Sequence, residues 1–143
     1  MHEPASILTV AHVIQLAVAP VFLLTGVGAI LGVLINRLGR VIDRFRVLER
    51  HAAEEAAALE MKVLARRARM IHWAIGLCTS CALLVCIVIA ALFVGSITGV
   101  ELSTSIAALF IAAMLALVSA LLCFLREITL ATGGIHVLPP RRT

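Results

Sequence analysis

The sequence predicts an all-α integral membrane protein with three transmembrane helices and a cytoplasmic helical hairpin between spans one and two. Three observations predict it. The 143 residues are 62% hydrophobic and 14% charged, with a mean hydropathy of +1.12, whereas a soluble domain is about half apolar and about a quarter charged. The apolar residues fall into three blocks, each of about the ~20 residues needed to cross hydrocarbon. The charges gather between and after the blocks: nine of the twelve Lys and Arg lie in residues 37–69, and the other three follow Leu125.

The chain reads as one membrane domain, residues 1–143. A short polar lead, residues 1–9, carries Glu3 and no Lys or Arg. The first span is residues 10–35, roughly 39 Å if helical. This exceeds a hydrocarbon core of about 30 Å, so tilt or extension is expected. Ala17-Val18-Ala19 resembles a signal-peptide cleavage site. However, no basic segment precedes it and the apolar run continues beyond Pro20, which predicts an uncleaved first span. No lipidation motif is visible. Pro20 is a candidate kink of a kind that membrane helices tolerate.

On a helical wheel, His12, Gln15, Ala19, Gly26, Ala29 and Asn36 share one arc of the first span. Leu16, Leu23, Leu24, Val27, Leu31 and Leu34 occupy another. This predicts a small and polar face that meets protein and a large face that meets lipid. Gly26, Gly28, Ala29 and Gly32 are the candidate helix-packing residues, because a small-xxx-small pair lets backbones approach closely.

Residues 36–70 form the charged connection, and between Arg40 and Ile75 no Gly, Pro, Asn, Ser or Thr interrupts a helix. Because the chain must return to the face it left, a hairpin turning near residues 50–53 is expected. Leu38, Val41, Ile42, Phe45, Leu48 and Ala52 keep helical spacing in the outgoing arm; Leu59, Val63 and Met70 do so less cleanly on return. A segment lying flat on an anionic bilayer is the alternative. Charged neighbours one turn apart, such as Arg46–Glu49 and Arg50–Glu54, suit a solvated helix face, and Asp43 reads as an ion-pair partner of Arg40 or Arg44.

The second span is residues 71–97, with His72 and Trp73 at an expected interface. A short turn free of basic residues, 95–101, leads to the third span, residues 106–125, which Arg126-Glu127 ends. Residues 126–143, with Gly133-Gly134 and Pro139-Pro140-Arg141-Arg142, read as a cytoplasmic tail. The positive-inside rule puts the N-terminus outside and the hairpin and C-terminus in the cytoplasm.

Candidate chemistry is sparse. Cys78-Thr79-Ser80-Cys81 is a C-x-x-C within an apolar span; with Cys86 and Cys123 it would bind metal only if all converged, and Cys otherwise packs as a small hydrophobe. His12 and Gln15, with Asn36, are candidate pathway-lining residues, although a histidine so near the span's start also suits an interfacial position. Arg37, Arg40, Arg44 and Arg46 suit lipid-headgroup contact or topology. No catalytic set, cofactor motif or metal site is expected. With no tyrosine and one tryptophan, no stacking surface for nucleic acid is expected either.

Residues 12–49, HVIQLAVAPVFLLTGVGAILGVLINRLGRVIDRFRVLE, resemble an uncharacterised family of small bacterial membrane proteins, the domain-of-unknown-function family numbered 2721. The match rests on Ala19-Pro20, Gly26-Val27-Gly28, Asn36-Arg37-Leu38 and Asp43-Arg44, and the layout of the remaining chain fits. The resemblance implies a bacterial inner-membrane location and three spans, and brings no activity. The function expected is therefore a non-enzymatic multi-pass protein, embedded in a lipid bilayer and self-associating through the first span. An ion channel lined by that span, or a scaffold whose hairpin docks a partner, are the alternatives.

Overall fold

The computed structural model describes residues 3–50, 55–99 and 102–133. All the elements among them are helical: α1 spans Glu3–Glu49, α2 Glu55–Thr98 and α3 Ser103–Gly133. At ~1.5 Å per residue these are roughly 70, 66 and 46 Å long. All three are long and apolar enough to cross a membrane.

The helices overrun the expected span limits. α1 starts at Glu3 rather than near residue 10, and continues through Pro20 and the charged stretch to Glu49. α2 carries the charged return directly into the second span. α3 runs about two turns past Leu125, so Arg126 and Glu127 lie within it instead of ending it. The expected turn at residues 50–53 begins at Arg50 and otherwise lies outside the described residues, as do Ala52, Glu54, Glu101 and the tail from Gly134 onward.

Short-range chemistry sets the α2–α3 junction. Gly99 adopts φ +67° and its N–H donates to the carbonyl of Gly95 at 3.0 Å. This left-handed cap stops α2, and glycine reaches it without a Cβ clash. Leu102 then opens α3, its carbonyl accepting the Ile106 N–H at 2.9 Å. α2 thus runs on to Thr98, into the turn expected at 95–101.

Packing follows a seven-residue period. On α1, Val13, Pro20, Val27, Leu34, Val41 and Leu48 are buried, with Ala17 buried and Leu24, Leu31, Leu38 and Phe45 half-buried between them. On α3, Ala113, Ala120 and Glu127 keep the same period, with Leu109, Ala116 and Cys123 half-buried between. Alternating steps of three and four keep one seam facing a neighbour in left-handed helix packing. α2 is that neighbour for both helices, with extensive packing of α1 on α2 and of α3 on α2. The fully buried core mixes large and small side chains: Val27 and Leu34 on α1, Ile71, Ala74, Cys78, Cys81 and Val85 on α2, Ala113 and Ala120 on α3.

This overturns the expectation that the large face of α1 meets lipid. Val27 and Leu34, assigned to lipid, are fully buried, and Leu23, Leu24 and Leu31 are half-buried beside them. The reason is volume: within one chain the larger apolar side chains fill the seam with α2 and gain more from burial. The small and polar face is left pointing away from the bundle. Beyond the apolar stretch, α1 and α2 continue as antiparallel arms, joined by Val41, Leu48 and Leu64 in the core. In the returning arm Leu64, Met61 and Ala68 do the packing, while Leu59 and Val63 are exposed.

Candidate functional site: an ionic clasp joining three helices

Glu127 is the buried charged residue of the described chain, 1% exposed. The period of α3 delivers it: it lies seven residues after Ala120 on the face that meets α2. A lone carboxylate there would be severely destabilising. Two guanidiniums meet it instead. Arg37 of α1 donates through Nη1 to Oε2 at 2.6 Å. Arg67 of α2 donates to Oε1 through Nη2 at 2.8 Å and Nε at 3.2 Å. Each helix thus contributes one group, and the Arg37 bond joins α1 to α3, helices that otherwise share little contact.

The arginines are less buried than the acid, with side chains 33% and 26% exposed. Arg37 also lies over the Phe124 ring, 5.1 Å from its centroid, a cation–π contact that fixes the guanidinium plane. No buried side-chain nitrogen or oxygen among the described residues lacks a hydrogen-bond partner. With both oxygens accepting from guanidinium donors, Glu127 ties the three helices together.

About two turns further out, Arg44 Nε donates to Glu60 Oε1 at 2.9 Å. Both side chains are about half exposed, so this pair contributes little, about 0–1 kcal/mol. It corrects the expected pairing of Asp43: Arg44 turns to the other arm, and Asp43 makes no ion pair among the described residues. Beside the clasp opens a cavity of about 320 Å³ lined by Arg37, Arg40, Arg44 and Arg67, by Val41 and Leu64, and by Glu127 itself.

The other candidate residues fall elsewhere. Gly26, Gly28 and Gly32 are open: a Cβ added to any of them would meet no atom of the chain within 4 Å. Ala29, His12, Gln15 and Asn36 are exposed along the same side of α1. Arg46 is exposed and does not line the cavity. Cys78 and Cys81 are fully buried free thiols in the core, whereas Cys86 is exposed and Cys123 half-buried. No three His, Cys, Asp or Glu among the described residues gather as a metal site. The hydroxyls of Thr25, Thr79, Ser80, Thr98 and Ser119 each bond the carbonyl four residues back, which satisfies them inside a membrane without a second helix. At the far end of the bundle an apolar groove of about 660 Å³ runs between Leu16 and Pro20, Val88 and Leu92, and Ile106 and Phe110.

Sequence inspection missed Glu127 and Arg67. Arg126-Glu127 follows an apolar run and so reads as the wet end of a span. The usable signal was register: Ala113, Ala120 and Glu127 are spaced by sevens.

Three apolar helices of spanning length, clasped at one end by a buried ionic triad, define a multi-pass membrane protein. The family model described as "Protein of unknown function (DUF2721)" matches residues 17–137. The chain belongs to this family. No curated protein and no solved structure matches it.

Proposed function

We propose that this chain is a non-enzymatic multi-pass protein of the bacterial inner membrane that assembles with copies of itself through the outward face of α1. The observation that carries this is the unpartnered state of that face. Gly26, Gly28 and Gly32 have open space where a side chain would stand, and His12, Gln15 and Asn36 are exposed elsewhere along the same helix. Polar side chains gain little against lipid, and flat glycine surfaces suit close approach of a second helix. A copy of the same chain brings a matching face, since a two-fold interface pairs a patch with itself. The arginine-rich arms lie in the cytoplasm and the N-terminus outside, as the distribution of Lys and Arg favours.

Disulfide crosslinking in native membranes tests the seam. With the four native cysteines replaced by alanine or serine, Gly32→Cys should give a crosslinked dimer on mild oxidation. Ile30→Cys, on the half-buried side of α1, should not. Equal crosslinking of both would remove the assignment of the seam. The polar residues on this face also favour a second reading, a channel with α1 around its axis. Planar-bilayer recordings without conductance across several cations, anions and pH values would eliminate it.

A further inference from the structure

The ionic clasp leaves positive charge over. Arg37, Arg40, Arg44 and Arg67 line one cavity together with Glu127. Glu127 answers Arg37 and Arg67, and Glu60 answers Arg44. Four guanidiniums against two carboxylates leave two positive charges, and Arg40 has no ionic partner among the described residues. The volume of about 320 Å³ sits at the small end of the ~300–1,000 Å³ typical of ligand sites. Val41 and Leu64 give it an apolar floor. Two of its arginines are held in place, Arg37 by Glu127 and Phe124, and Arg67 by Glu127, whose carboxylate shares the lining but has both oxygens bonded to them. They therefore present their remaining N–H groups in a fixed array. Guanidinium forks match phosphate oxygens two at a time and stay charged at every physiological pH.

We infer that this cleft binds a phosphate ester. The cleft lies just past the apolar stretch of α1, residues 10–35, at the depth where phospholipid headgroups sit. Two sources carry this chemistry: an anionic phospholipid headgroup, with its acyl chains against the bundle, and a soluble phosphate monoester. The site is formed within one chain and does not depend on self-association.

The test uses the full chain in detergent micelles. Native mass spectrometry compares retention of phosphatidylglycerol and phosphatidylcholine, and calorimetry measures binding of glycerol 3-phosphate. The variants are Arg40→Gln and Arg46→Gln, which remove the same charge; only Arg40 lines the cleft, and neither touches Glu127. Retention of phosphatidylglycerol over phosphatidylcholine, reduced about tenfold by R40Q and little changed by R46Q, assigns the cleft to a lipid headgroup. Glycerol 3-phosphate binding with the same dependence on Arg40 assigns it to a soluble ester. Equal losses from R40Q and R46Q would overturn the proposal, since diffuse surface charge would then explain the binding. No preference for phosphatidylglycerol together with no binding of glycerol 3-phosphate would overturn it as well.

Discussion

At the scale of single residues, Glu127 governs the bundle's arginine-rich end. Buried ion pairs offer weak net stabilisation because desolvating the charges offsets their attraction, yet removing one partner is costly. Glu127→Ala leaves Arg37 and Arg67 facing each other with no counter-charge. We expect it to destabilise the solubilised protein by about 3–5 kcal/mol in thermal or SDS unfolding. The triple variant Arg37→Met/Arg67→Met/Glu127→Leu should lie closer to wild type than E127A does. If E127A unfolds like wild type, the clasp does not hold the helices. The clasp was partly legible in the sequence. Arg37 stood out at the start of the basic run, but Arg66, Arg67 and Arg69 look alike, and only the packing of α2 selects Arg67. Asp43 misled for a related reason: it is close to Arg40 and Arg44 along one helix, whereas Arg44 finds Glu60 across the hairpin.

At the scale of the element, α1 shows what periodicity gives and what it leaves open. Its helical character, its length and its two chemically distinct faces follow from sequence. Which face meets α2 does not, because that depends on how well each side complements a neighbouring surface. The larger side chains won, and the glycines stayed open. Leu34→Ala, at a fully buried position, should cost about 2–5 kcal/mol. Ile35→Ala, one residue on and 57% exposed, should stay within about 0.5 kcal/mol. Unfolding in micelles measures both, and equal costs would contradict the observed facing of α1. α3 was harder to read, since it is apolar around nearly its whole circumference and its seam is set by small residues, Ala113 and Ala120. Such a helix gives little sign of which side is buried.

At the scale of the whole molecule, three helices bury one shared seam and leave most of their apolar surface outward, as a membrane protein must. Fold class and span number were legible because hydrocarbon thickness imposes a length that few soluble helices match. The open face of α1 gives the most direct test of the account, the mass of the protein within its micelle by multi-angle light scattering. The wild-type chain should weigh a multiple of its 15.2 kDa. Gly28→Leu/Gly32→Leu, at positions where an added Cβ meets no atom of its own chain within 4 Å, should keep its helix content and unfolding midpoint but fall to monomer mass. A wild-type chain that is monomeric at every concentration, or a double variant that keeps the wild-type mass, would contradict it.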